Sequence, residues 1–153
     1  MLPTQGSTAT HRCLRHGHPA DDRAPGRCTR RVTEWSADTV DSAPLRELRL
    51  LSADLVPELL DLYLAVAPEQ LSDLGAALTA ADFERVRFCA HLLRGSCVNV
   101  GAIGLAALAE ELERLGRNGS IVGGRALFDQ LDAALPVVCS TLSRDRNQPG
   151  GLI

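Results

Sequence analysis

The stretch FERVRFCAHLLRGSCVNVGA, residues 83–102, decides how the chain is read. At about 100° per residue, Val86, Cys89, Ala90, Leu93, Ser96, Cys97 and Val100 fall on one broad face. That face is apolar and small enough for the inside of a helical bundle. His91 points almost directly away from it, and Glu84, Arg87, Phe88, Arg94, Gly95 and Val98 share its outer surface. Asp82 is a good N-cap for this helix, and Gly101 marks a break or tight bend after it. The result is an amphipathic helix that buries aliphatic residues and presents an imidazole to solvent.

The same three-and-four spacing of apolar residues runs from about Leu45 to Leu142. A first helix is expected over about 52–67, with Leu55, Leu59, Leu62, Tyr63 and Val66 as its inner stripe and Pro57 in its first turn. Pro68 interrupts that run, so a second helix is expected to begin there and turn Leu71, Leu74 and Leu78 inward. After the histidine helix, a further one uses Leu105, Leu108, Leu112 and Leu115 and ends at Gly116 and Gly119. The last runs over about 125–142, with a kink or restart at Pro136. No strand-like alternation and no internal repeat is present. Short connections make successive helices antiparallel, so the fold class is all-α, an up-and-down antiparallel four-helix bundle with an extra N-terminal helix.

Composition fits this reading. The 153 residues suffice for one domain with a real core, and with 45% apolar but only 3% aromatic residues that core is aliphatic. All 16 basic residues are arginine, a bias best read as compositional. Residues 1–33 carry six Arg against two Asp, whereas 34–153 carry ten Arg against 17 acids, a balance of −7. So acidic a body argues against nucleic-acid binding. Residues 1–44, rich in Pro, Gly, Ser, Thr and Arg, read as a disordered basic leader, and 144–153 as a flexible tail. His11, Cys13, His16 and His18 offer soft metal donors, but Arg12, Arg15 and Arg23 oppose a cation there and the spacing matches no closed zinc site. Trp35 stands alone in the leader and could fold back onto the bundle. Five cysteines without a CxxC pair suit a reducing cytoplasm, and no apolar stretch is long enough for a membrane span or a secretory signal. A single compact bundle makes a monomer the default.

The neighbours of His91 each have a physical use. A neutral imidazole is a good nucleophile towards phosphorus. Arg94 at i+3 and Arg87 at i−4 can bring guanidinium donors to a phosphoryl group on it. Gly95 costs a helix about 1 kcal/mol relative to alanine, which makes sense if another protein must approach that turn closely. Phe88 and Val98 would be the apolar rim for that partner. Singly, each has a blander reading: a surface histidine, a weak helical turn, a solvated charged face. The combination at fixed spacing is what points to phosphoryl chemistry.

The residues Ala90-His91-Leu92-Leu93-Arg94-Gly95-Ser96-Cys97, followed by Gly101-Ala102, resemble the signature of the histidine-containing phosphotransfer (HPt) domains of bacterial multistep phosphorelays. The likeness extends over about 45–143, including Pro68 and Leu112-Glu113. It implies that His91 accepts a phosphoryl group from a receiver-domain aspartate and passes it to another response regulator. Arg94 takes the place of the family's usual lysine as anion stabiliser, Gly95 gives the partner clearance, and Ser96 helps fix the helix locally at the partner-facing surface. The implied partners are receiver domains and a hybrid histidine kinase. Mg²⁺ is expected on the receiver and no cofactor on this chain, which shows no Gly-rich nucleotide loop and reads as a phosphoryl carrier, not an enzyme. Arginine for lysine keeps the charge but changes the geometry.

Two other readings compete. A non-catalytic adaptor could bind a receiver or kinase through the same bundle without chemistry. The phosphoacceptor hairpin of a histidine kinase also offers a helical histidine, but with an acid directly after it, where this chain has Leu92. A kinase-borne domain would be joined to further domains, so the sequence reads as free-standing.

Overall fold

The computed structural model describes residues 36–147 and, among them, five helices and no strand. They are α1 (Ala43–Leu51), α2 (Leu55–Thr79), α3 (Phe83–Asn99), α4 (Ile103–Arg117) and α5 (Gly124–Arg146). In the bundle α3 lies between α2 and α4, α5 packs on α4 and α2, and the short α1 leans on α2. The expected class is observed, an all-α four-helix bundle with an extra N-terminal helix. Its core is aliphatic: Val56, Leu60, Leu74, Val86, Leu93, Leu105, Leu112, Leu131, Val138 and Leu142 are almost wholly removed from solvent. Each such side chain contributes about 1.5–3 kcal/mol on burial.

Where the helices divide differs from the sequence expectation. The extra helix is α1, and the segments on either side of Pro68 form the single helix α2. Pro68 removes one backbone donor, but Tyr63, Ala67, Leu71 and Leu74 stay in phase across it and are all buried. Packing over both halves therefore outweighs the lost bond. Likewise α5 runs unbroken through Pro136, without the restart allowed for there. The inner stripe of α2 is shifted by one residue. Val56, Leu60 and Ala67 face the core with Tyr63, while Leu59 is only partly covered and Leu62 keeps 61% of its surface. A leucine-rich helix carries two overlapping apolar sets one position apart, and neighbouring helices choose between them.

The folded body also starts ahead of Leu45. Residues 36–41 lie along the turn between α3 and α4, where Asp41 N–H donates to the Gly101 carbonyl at 2.7 Å and Gly104 N–H to the Thr39 carbonyl at 3.2 Å. Gly101 takes the tight bend expected of it, at φ +77°, and a Cβ at Gly104 would stand 2.2 Å from the Ser36 carbonyl oxygen. The two glycines thus open the space the incoming chain occupies. At the other end, α5 continues to Arg146, whose guanidinium grips Asp61 of α2 through Nε at 2.8 Å and a terminal nitrogen at 2.9 Å. The histidine and cysteine cluster of the leader and Trp35 lie outside the described residues.

Candidate phosphotransfer site

Helix α3 begins as its sequence dictates, with the Asp82 carboxylate accepting from Arg85 N–H at 3.0 Å. Its inner face, Val86, Cys89, Ala90, Leu93 and Cys97, is buried. Cys97 lies 3.5 Å from the Tyr63 hydroxyl, and burial pushes its thiol up to about 11. It therefore stays a protonated packing residue at neutral pH. Burial likewise holds the Tyr63 phenol well above its ordinary range. Rigid packing behind α3 fixes the direction of its outer face. His91 is on that face, with 59% of its side chain exposed.

The ring is anchored from α4. Its Nδ1 stands 3.2 Å from Oε1 of Glu113, a carboxylate only 7% exposed. The same oxygen accepts from Arg117 at 2.9 Å, and the second oxygen, Oε2, faces Arg94 Nε at 3.1 Å. An ionised carboxylate only accepts, so this contact assigns the ring proton to Nδ1 and leaves Nε2 with its lone pair. A terminal nitrogen of Arg94 is 3.4 Å from Nδ1. With Nδ1 already donating to Glu113, that approach sets the position of the guanidinium and is not a hydrogen bond. The result is a partly exposed imidazole held by a buried carboxylate, with a guanidinium at the ring's edge.

Sequence reasoning missed Glu113 as a site residue. A signal was present: Ala106, Ala109 and Gly116 are buried on the same flank of α4, and an acid among them needs a partner. Gly116 is not the helix end expected from the sequence; it lies inside α4. A Cβ there would come within 2.7 Å of the backbone of Phe83 and Arg87, so this glycine lets α3 and α4 close together. That closeness brings Glu113 to His91. The chain leaves α4 one turn later through Gly119, at φ +64°.

The other expected residues separate into two groups. Phe88, Leu92 and Val98 are exposed around His91, and a Cβ on Gly95 would meet none of the described residues within 4 Å. Arg87, expected beside a phosphoryl group, is instead paired with Glu84 on its own helix at 2.9 Å. The Ser96 hydroxyl is engaged with Gln70 Oε1 of α2 at 2.9 Å and the Leu92 carbonyl at 3.1 Å. It ties α3 to α2 and steadies the turn after His91. Among the described residues no group of three or more His, Cys, Asp or Glu is placed to hold a metal, and no helix is long and apolar enough to cross a membrane.

A histidine presented from a four-helix bundle, oriented by a carboxylate and flanked by a cation, defines a histidine phosphotransfer module. Residues 58–141 match the family model of the Hpt domain, and the chain belongs to that family. It is similar to the crystal structure of histidine-containing phosphotransfer protein B (HptB) from Pseudomonas aeruginosa PAO1. The two are 33% identical with a TM-score of 0.68, and the match covers 72% of this chain and 96% of that one. No curated protein matches the chain. Its role is that of the family, histidine phosphotransfer in a phosphorelay; such proteins are phosphoryl carriers that work with receiver domains and histidine kinases.

Proposed function

We propose that His91 is the phosphoacceptor, taking the group on Nε2 from a receiver-domain aspartyl phosphate and returning it to the aspartate of a second receiver. The observation that carries this is the contact between Nδ1 and Glu113, which fixes the tautomer and leaves Nε2 as the nucleophile. In the forward step the Nε2 lone pair forms the bond to phosphorus while the bond to the aspartate oxygen breaks, and the electron pair leaves with the carboxylate. The ring gains positive charge as it reacts, which the Glu113 carboxylate stabilises through Nδ1–H. Arg94, one turn on, supplies donors to the phosphoryl oxygens. Mg²⁺ belongs to the receiver in this reading, and the chain contributes positioning and charge.

The receiver docks over Phe88, Leu92 and Val98. Beside them an apolar seam of α2, exposed Leu62 with half-buried Leu59 and Val66, meets Ser96 and Asn99 of α3 in a shallow depression and enlarges the same face. A Cβ on Gly95 would touch none of the described residues, so its bare backbone serves the approach of the partner. The compartment that supports such a relay is the cytoplasm, and the working unit is one bundle. Incubation with a phosphorylated receiver tests the assignment. The wild type should acquire an acid-labile, base-stable label and His91→Gln none, whereas a fully labelled His91→Gln would place the chemistry elsewhere. An adaptor without chemistry predicts binding of the receiver and no label on either protein.

A further inference from the structure

Glu113 has more positive charge around it than its burial requires. A single guanidinium can hold a buried carboxylate ionised, yet this one faces Arg94, Arg117 and the Nδ1–H of His91. The arginines divide its oxygens. Arg117 shares Oε1 with the histidine and makes a hydrogen bond there at 2.9 Å. Arg94 Nε stands 3.1 Å from Oε2, yet that oxygen is buried and without a hydrogen bond, so the pair is ionic and poorly aligned. Arg94 is also the arginine that reaches the ring. It stands between two anions once His91 carries a phosphoryl group, and the dianion is the stronger attractor.

Turning Arg94 fully to the phosphoryl group would strip a lone buried carboxylate of its counter-ion, a strongly unfavourable change. Arg117 removes that obstacle. We propose that Arg117 is a positioning residue for phosphoryl transfer: as the standing counter-ion of Glu113, it frees Arg94 to serve the phosphoryl group on His91. The proposal rests on the assignment of His91 as phosphoacceptor. Arg117 makes and breaks no bond with the moving group; it keeps Glu113 charged and on Nδ1 while Arg94 changes partner. An ordinary Glu–Arg pair four residues apart on a helix would add only slightly to helix stability. Here the accepting oxygen is buried and is the one that orients the nucleophile.

The test uses the full chain and a purified receiver domain charged with acetyl phosphate, followed by single-turnover transfer and by the decay of labelled protein. Arg117→Gln should slow transfer roughly tenfold, less than the loss of a donor that touches the reacting group. Its far-ultraviolet circular dichroism should be unchanged, and Arg117→Lys should recover most of the rate. In an Arg94→Gln background the same Arg117→Gln change should add little, because no arginine is left to release. In nuclear magnetic resonance, the Arg94 Nε–H signal should move on phosphorylation of the wild type and stay in place in Arg117→Gln. An Arg117→Gln protein as fast as wild type, or losses that multiply in the double variant, overturns the proposal. A wild type labelled at His91 beside an indifferent Arg117→Gln removes this inference alone. A wild type that takes no label removes it together with the assignment of His91.

Discussion

Gly95 and Gly116 are both glycines inside helices, and the fold treats them in opposite ways. At Gly116 a Cβ would press to 2.7 Å against the backbone of α3, whereas at Gly95 it would meet none of the described residues within 4 Å. Gly116 is therefore a packing residue. It sets the spacing between α3 and α4, and through that spacing the reach of Glu113 to His91. Gly95 is a helix-weakening residue with no packing use among the described residues, one turn from His91. Such a residue fits the proposed role of a clearance site for the partner receiver. The leucines of α2 repeat the contrast: Leu60 is fully buried, while Leu62, two positions on, faces solvent beside α3.

Four substitutions test this division. Leu60→Ala should cost the most, about 2–5 kcal/mol in urea unfolding, because it leaves a cavity in a closed core. Gly116→Ala should cost about 1–3 kcal/mol, since backbone atoms cannot step aside as a side chain can. It should also slow phosphoryl transfer by widening the gap between Glu113 and His91. Gly95→Ala should move stability the other way, by up to about 1 kcal/mol, from improved helix propensity, while transfer from the receiver slows. If Gly95→Ala gained stability and transferred at the wild-type rate, the clearance role would be lost. The smallest stability change is expected for Leu62→Ser, within about 0.5 kcal/mol, with weaker receiver binding as its measurable effect. A large loss of stability there would mean that the seam belongs to the core after all.

Much of the site was legible from one helix. The direction of His91, the apolar backing of Val86, Leu93 and Val100, and the cap at Asp82 all follow from periodicity and local chemistry. What escaped was pairing between helices. Glu113 lies 22 residues beyond His91, and nothing in periodicity says that the two meet. Arg87 and Arg94 look equivalent on a helical projection, yet Glu84 claims the first and Glu113 the second. The rule that proline ends a helix is local, and at Pro68 and Pro136 packing on both sides overrides it. The apolar stripe of α2 was read one residue out because Leu55, Leu59 and Leu62 repeat as regularly as Val56, Leu60 and Tyr63. Composition also placed residues 36–44 in the leader, because short polar and small residues hold their place there through backbone bonds to Gly101 and Gly104.

The most direct measurement is a nitrogen-15 and phosphorus-31 spectrum of the protein after it has taken a phosphoryl group from a charged receiver domain. The expected result is phosphorus coupled to Nε2 of His91, with Nδ1 still carrying its proton against Glu113. Phosphorus on Nδ1, or on any residue other than His91, would contradict it.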